Sequence, residues 1–300
     1  MAEKPFKSGF VGIIGRPNVG KSTLLNTFLG EKIAITTPKP QTTRNRILGI
    51  MNTDSGQFVF LDTPGIHRAK TPLNLLMVKS AMETYGEADV LLLLVEADRG
   101  LHDEDSLILE SLMAIKIPVI LVINKIDLVK KETLLPLIDT FKDLYAFEEI
   151  IPISATRGFG VDRLTDILWR LLPEGPKLFP DDMITDRTER FIAAEIIREK
   201  IFLLTRQEIP YATAVVVEAF REEEERNFIR IEASIIVEKD SQKGIVIGKK
   251  GAMLKDIGRQ ARKDLERFFN ARIYLELFVK VRKDWTHDER LLRELGYSEK

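Results

Sequence analysis

Gly15-Arg16-Pro17-Asn18-Val19-Gly20-Lys21-Ser22 lies between a strand-like run, Gly9 to Gly15, and a helix-like stretch near residues 21 to 29. The eight residues satisfy G-x-x-x-x-G-K-S/T in the strand–loop–helix setting that the motif needs. Glycines at its ends let backbone N–H groups wrap phosphate oxygens. The following helix N-terminus favours anions, Lys21 neutralises β/γ-phosphate charge, and Ser22 is a candidate Mg²⁺ ligand with Thr23 beside it. Working outward, further strand candidates are Arg46 to Asn52, Gln57 to Asp62, Asp89 to Val95, Pro118 to Ile123 and Ile150 to Ile153. Helix patterns near 73–86, 103–115, 131–145 and 160–172 alternate with them. That order predicts stacked βαβ units: an α/β fold with a mostly parallel sheet covered on both faces.

Three further stretches fall at predicted strand ends. Asp62-Thr63-Pro64-Gly65 is suited to hold a metal shell through its carboxylate and a γ-phosphate through the Gly65 N–H. Asn124-Lys125-Ile126-Asp127 places a carboxylate, Asp127, where it can accept from both the ring N–H and the exocyclic amine of guanine. Adenine offers no such pair, and a site that leaves a polar group unpaired rejects the wrong base. Ser154-Ala155 sits where a backbone N–H is expected to reach guanine O6.

The chain has 300 residues, 44% apolar and 30% charged, and no cysteine. Two domains are expected from that length, while disulfides and thiolate metal sites are excluded. The longest apolar runs, Val90 to Val95 and Ile117 to Ile123, are much shorter than the ~20 residues of a membrane-spanning helix. The N-terminal residues show no secretory signal, so a cytoplasmic location is expected. Pro173-Glu174-Gly175-Pro176, then Pro180, Asp181 and Asp182, has breaker composition. The expected layout is a nucleotide domain over 1–178, a linker over 179–185 and a second domain over 186–300.

The second domain reads α-β-β-α-α-β: an amphipathic helix at Glu189 to Leu204, strands Thr213 to Phe220 and Phe228 to Val237, helices near 242–247 and 252–269, and an alternating strand through Ile273, Leu275, Leu277, Val279 and Val281. Its charge is polarised. Residues 181–242 hold 9 basic and 15 acidic side chains, whereas 243–283 hold 12 and 4. Inside that basic block, Ile247-Gly248-Lys249-Lys250-Gly251 puts a G-x-x-G with two lysines between two helices, suited to a single strand's sugar-phosphate backbone. Lys255, Arg259, Arg262, Lys263 and Arg267 continue the positive pattern, interrupted by Asp256, Asp264 and Glu266. Phosphate contact is therefore assigned only to Lys249 and Lys250, some of the others being expected in i,i+4 ion pairs on a solvated face. Ile245 and Ile247 are suited either to stack on bases or to fill the core, and the core is the favoured place, although the G-x-x-G pattern keeps Ile247 among the candidate RNA-binding residues.

Together these motifs resemble those of translation-factor-related GTPases, and GRPNVGKSTLLN, Gln41-Thr42-Thr43-Arg44 and the type II KH pattern make the chain similar to the Era family over essentially its whole length. The resemblance implies GTP/GDP binding at Gly15, Asn18, Val19, Gly20, Lys21, Ser22, Thr23, Asp62, Gly65, Asn124, Lys125, Asp127, Ser154 and Ala155, with GTP hydrolysis supported by Lys21, Thr43 and Gly65. It implies Mg²⁺ at Ser22, Thr43 and Asp62, Thr42 being the competing candidate for the switch threonine. Where Ras-like proteins carry a water-positioning glutamine this chain has Ile66, so slow intrinsic turnover is expected; Asn18 matches the asparagine associated with K⁺ stimulation in related GTPases. His67 is expected as an exposed loop residue rather than a base. The implied partner is the 3′ end of small-subunit (16S) ribosomal RNA and the implied task 30S assembly or maturation, with peripheral membrane association also known in the family. DNA is not an expected partner, and a monomer is the default. The competing reading is a signalling switch at the membrane or division machinery, with the KH module docking protein.

Overall fold

In a computed structural model of the chain, residues 5–69 and 71–297 are described. They divide into two compact units. One runs to Ala34, resumes at Thr43 and again at Met77, and ends at Asp186; the other gathers Ile35–Thr42, Thr71–Leu76 and the chain from Arg187 on.

The first unit is built on β1 (Lys7–Gly15), β2 (Ile47–Thr53), β3 (Gly56–Asp62), β4 (Val90–Glu96), β5 (Val119–Asn124) and β6 (Glu149–Pro152), in sheet order β2-β3-β1-β4-β5-β6. Only β2 runs antiparallel. Parallel strands need crossovers that cover both faces, and the sequence of β3, β4 and β5 is accordingly buried throughout. The crossovers are α1 (Lys21–Leu29), α2 (Pro72–Glu87), α3 (Asp103–Leu112), α4 (Leu134–Lys142) and α5 (Val161–Leu171). On one face Phe28 stacks on Phe60 at 4.3 Å between centroids, and Phe60 neighbours Phe58 at 6.1 Å. On the other, Leu91, Leu93, Leu121 and Ile123 pack with Ile108, Leu112 and Phe141. Chain order reverses around β1, whose neighbours are β3 and β4, so the loop after β1 opens at the switch point where open α/β sheets bind ligands.

The proline- and glycine-rich stretch after α5 is strapped to this unit. The Gln57 side chain on β3, fully buried, accepts from the Leu178 and Phe179 N–H groups at 2.7 and 2.9 Å and donates to the Phe179 carbonyl at 2.8 Å. Ile50 N–H donates to the Ile184 carbonyl at 2.9 Å. Residues that cannot join a helix or sheet still need partners for their polar groups, and a buried amide supplies them here.

The second unit has the predicted order: α6 (Glu189–Leu204), β7 (Ala214–Glu223), β8 (Phe228–Val237), α7 (Asp240–Ile247), α8 (Ala252–Phe269) and β9 (Arg272–Val281). β7 pairs antiparallel with β8 and β8 parallel with β9. The core lies between this sheet and α6, α7 and α8, through Ile197, Ile201, Ile235, Val246, Ile257 and Ala261. Ile35–Thr42 lies on α6 in the same unit. Glu199 Oε1 accepts from the Thr36 N–H at 3.1 Å, Arg198 Nη2 donates to the Thr42 carbonyl at 2.6 Å, and the Lys39 ammonium meets the Phe202 and Thr205 carbonyls at the helix C-terminus. A cation is favourable there because the last helical carbonyls have no intrahelical donor.

After β9, Trp285 is fully buried; its indole N–H donates to the Ala212 carbonyl at 3.0 Å and its ring stacks on Tyr297 at 5.6 Å. The short α9 (Glu289–Glu294) follows, capped by the Asp288 carboxylate. Trp285→Ala is expected to destabilise this unit by about 3–5 kcal/mol, the cost of emptying a buried aromatic site. Urea titration followed by circular dichroism measures it; a loss below about 1 kcal/mol would show that the tail is not part of the core.

Candidate functional site

Four loops meet at the C-terminal edge of the parallel strands. In the first, residues 15 to 20, Asn18 (φ 68°) and Gly20 (φ 100°) are left-handed, and α1 starts at Lys21 with no side-chain cap on its N-terminal N–H groups. A Cβ at position 20 would stand 2.2 Å from Asn124 Nδ2, so position and conformation both demand glycine. The Lys21 ammonium is buried, donating to the Gly15 and Arg16 carbonyls at 3.0 and 2.8 Å. Burial brings its pKa down to about 8, an effect that the nearby Asp62 charge only partly offsets.

Asp62 closes β3 and is fully buried. Its Oδ2 accepts from Ser22 Oγ at 2.6 Å, and Ser22 Oγ lies 2.7 Å from Thr43 Oγ1. Asp62 Oδ1 is buried without any hydrogen-bond partner among the described residues. Burial pushes this carboxyl up to about 6, against the opposing effects of the Ser22 hydrogen bond and Lys21. A hard cation suits this set: three oxygens converge and one carboxylate oxygen lacks a donor. Thr42 is placed otherwise, its hydroxyl 2.7 Å from Thr37 Oγ1 and donating to the Lys39 carbonyl at 2.8 Å.

Gly65 approaches the phosphate loop so closely that a Cβ would fall 2.5 Å from Pro17 N. The next N–H, of Ile66, donates to the Gly15 carbonyl at 3.1 Å, and the Ile66 side chain is buried in the core. The position that holds a polar side chain in Ras-like proteins therefore points into packing. His67 is half-buried, not exposed as expected, because its Nδ1 is engaged with the Gly65 carbonyl at 2.7 Å.

At the end of β5, Asn124 brackets the site. Its Nδ2 donates to the Val19 carbonyl at 2.8 Å and its Oδ1 accepts from the Ala155 N–H at 2.9 Å. The Ala155 amide is thus engaged by Asn124 and the Ser154 amide donates to the Phe159 carbonyl at 3.0 Å, while the Ala155 carbonyl accepts from Thr27 at 2.8 Å. Asp127 is exposed; Ser154 Oγ donates to its Oδ1 at 2.6 Å, and that hydrogen bond first, with Arg157 contributing, holds its carboxyl below the usual range. Thr23 is half-buried in the first turn of α1. Sequence reading did not single out Glu96, Asp105 or the buried role of Arg16, which form an ion-pair cluster behind these loops. The available signal was a glutamate ending an otherwise apolar strand.

In the second unit Gly248 to Gly251 forms the turn between α7 and α8, with Lys249 and Lys250 exposed at its tip and Lys250 left-handed at φ 53°. Neither lysine has an ion-pair partner among the described residues. Along α8, Arg259 pairs with Asp256 at 2.9 Å, Arg262 with Glu266 at 3.7 Å and Arg267 with Asp264 at 3.8 Å. Ile247 is half-buried, but Ile245 is 48% exposed rather than in the core. The 100° step of the helix turns Val246 inward and Ile245 out.

A phosphate loop, a hydroxyl–carboxylate cluster and a guanine-suited carboxylate on this sheet, followed by a three-stranded α+β module with a G-x-x-G turn, define a P-loop GTPase joined to a KH domain. The family model of 50S ribosome-binding GTPases matches residues 10–125 and that of the KH domain matches 208–286. GTPase Era of Syntrophus aciditrophicus (strain SB) is 65% identical over 294 residues, covering 98% of this chain and 96% of the relative. GTPase Era of Geobacter metallireducens is 57% identical over 298 residues, 99% of this chain and all of the relative. A crystal structure of Era in complex with MgGDPNP and nucleotides 1506–1542 of 16S ribosomal RNA superposes with a TM-score of 0.95 at 44% identity, covering 98% of this chain and 100% of that one. An Aquifex aeolicus Era variant bound to GDP·AlF4⁻ gives 0.94 at 43% identity, with the same coverage. The chain belongs to the Era family of GTPases, which are GTP hydrolases.

With Asp62 expected to hold the cation and Lys21 the phosphate, the two shifted groups are expected to bound the pH range of tight nucleotide binding. Below about 6 Asp62 is protonated and must release its proton to hold a cation; above about 8 Lys21 is neutral and must take one up to meet phosphate. Affinity for magnesium–GDP is expected to fall about tenfold per unit on either side of this window. Calorimetry in buffers of different ionisation enthalpy should register proton release near pH 5.5 and proton uptake near pH 8.5; a flat profile from 5 to 9 would contradict both assignments.

Proposed function

We propose that this protein is a GTP-controlled RNA-binding factor of the cytoplasm that engages the 3′ end of small-subunit ribosomal RNA and assists 30S maturation. The observation that carries this reading is the likeness along 98% of the chain to Era bound to MgGDPNP and a 16S ribosomal RNA segment. The site's geometry supports it: the nucleotide residues gather in one unit, and two lysines without ion pairs among the described residues stand on the G-x-x-G turn of the other.

In this reading the boundaries are those of a G domain over 1–178 and a KH domain from 186. Ser22, Thr43 and Asp62 hold Mg²⁺, for which the unpartnered Asp62 oxygen and the Ser22–Thr43 contact speak. The ion supplies charge neutralisation on the phosphates. Lys21 adds positive charge at the β/γ-phosphates, the Gly65 backbone lines the γ-phosphate end, and Asp127 selects guanine through its paired acceptors. Hydrolysis is slow because Ile66 has no group with which to orient water. Asn18, left-handed in the phosphate loop, is the residue through which K⁺ raises turnover. RNA contact is carried by Ile247, Gly248, Lys249, Lys250 and Gly251, with the glycines admitting the backbone and the lysines meeting its phosphates.

The membrane-switch alternative gains nothing from these observations; no helix among the described residues is long and apolar enough to cross a membrane.

The reading is tested with a ribosomal 3′-end RNA oligomer and a scrambled control, in GDP and in a non-hydrolysable GTP analogue. The expected result is sequence-selective binding that differs between the two nucleotides. Lys249→Glu/Lys250→Glu should abolish it and leave GTP affinity within twofold of the parent. With two phosphate contacts, log K against log[salt] should have a slope of about −1.4. Unselective binding, or undiminished affinity in the double variant, would refute the RNA assignment. Separately, turnover in KCl should exceed that in NaCl, and Asn18→Ala should remove the difference; equal rates in both salts would refute the K⁺ role.

A further inference from the structure

β4 is apolar from Val90 to Val95 and then ends on Glu96, which is 3% exposed. A buried carboxylate is tolerated only with compensating partners. Glu96 has three: the Lys125 ammonium on Oε1, Arg16 Nη2 at 3.5 Å from Oε2, and Arg99 Nε at 3.9 Å from Oε2, on an exposed side chain. The first two come from different loops, the buried Arg16 from the phosphate loop and the half-buried Lys125 from the tetrapeptide at the end of β5.

The partners differ in how far they depend on Glu96. Arg16 has a second anchor, since its Nε donates to Asp105 Oδ1 at 2.7 Å, and the fully buried Asp105 is itself fixed by the His102 N–H on Oδ2 at 3.0 Å. Lys125 has no other ion-pair partner among the described residues. Its backbone is left-handed, φ 65°, an unfavourable conformation for a lysine that the surroundings must impose. Its long side chain also loses rotamer freedom when ordered. Strand register explains why Glu96 can do this: it lies directly opposite Asn124, the residue before Lys125.

We propose that Glu96 is a positioning residue for guanine-nucleotide binding: by clamping the Lys125 ammonium it holds that side chain at the base pocket before nucleotide arrives. Preordering removes a cost that the nucleotide would otherwise meet on binding. The inference rests on the guanine-nucleotide reading of the site given above.

The test is a double-mutant cycle on the full chain, with GDP affinity measured by calorimetry at fixed Mg²⁺ and pH 7 for the parent, Glu96→Gln, Lys125→Met and the double variant. Glu96→Gln keeps the shape and removes the charge. It should weaken GDP about tenfold in the parent and less than twofold in the Lys125→Met background, a non-additivity reserved for groups that act together. The second background is needed because the Glu96 charge also reaches Lys21. The same loss in both backgrounds would place the effect at Lys21, at Arg16 or in general loosening, and would overturn the proposal. So would a Glu96→Gln protein that binds GDP within twofold of the parent. A parent that fails to bind GDP would instead remove the nucleotide reading itself. Circular dichroism checks folding, and if Glu96→Gln is unfolded, Glu96→Asp, which keeps the charge beside Arg16 and shortens the reach to Lys125, runs the same cycle with the same criteria.

Discussion

The nucleotide site depends on the register of four parallel strands. Ile13 stands opposite Asp62, Gly15 opposite Leu94, and Glu96 opposite Asn124. These pairings bring the phosphate loop, the metal-suited carboxylate, the buried glutamate and the base-recognition asparagine to one edge of the sheet, although they span residues 13 to 124 of the chain. A slip of one residue would turn every side chain on the slipped strand to the opposite face. The sheet resists that through packing rather than polarity: β3, β4 and β5 are buried along their whole length, so a slipped side chain meets a close-packed neighbourhood of another shape. Function is therefore fixed by the least specific part of the sequence, its runs of leucine, isoleucine and valine.

That scaffold holds its functional groups at a cost to the fold. Burial drives Lys21 and Asp62 each toward neutrality, and Asp62 Oδ1 has no donor among the described residues. Their mutual attraction does not cancel the desolvation of either. A ligand bringing phosphate to Lys21 and a cation to Asp62 compensates both charges together, so binding and stability of this unit rise in concert. The desolvation of these two charges and the fit of a magnesium nucleotide to them have one origin.

Much of this was legible in the sequence, and the parts that were not share a reason. The motifs at Gly15 to Ser22, Asp62 to Gly65 and Asn124 to Asp127 are local strings, each needing only a strand before it, and strands rich in branched apolar residues are easy to place. What distinguishes Thr43 from Thr42 is not local: Ser22 Oγ, 21 residues away in the chain, lies 2.7 Å from Thr43 Oγ1. Glu96, Asp105 and Arg16 escaped for the same cause, since nothing in a single stretch says which buried charges will face each other. The bond of the Ala155 N–H to Asn124 Oδ1 at 2.9 Å likewise joins residues 31 positions apart and is not legible in either stretch alone. Ile245 failed differently. In the eight-residue α7 the phase of burial cannot be averaged over several turns, and an error of one residue exchanges Val246 for its neighbour.

The second unit shows why a net charge is a poor guide to a binding surface. The excess of basic residues between 243 and 283 suggests a broad positive face. Along α8, however, three of the arginines are spaced three or four residues from a carboxylate and are paired with it. Exposed pairs of that kind contribute little to stability, but they lower the local potential and spend donors that a phosphate would need. Lys249 and Lys250 sit on a turn, where no residue one helical turn away can supply a carboxylate. The G-x-x-G tip therefore keeps two lysines without an ion pair among the described residues, beside the glycines that let a phosphate backbone come close, while Lys255 and Lys263 leave further unpaired charge along α8.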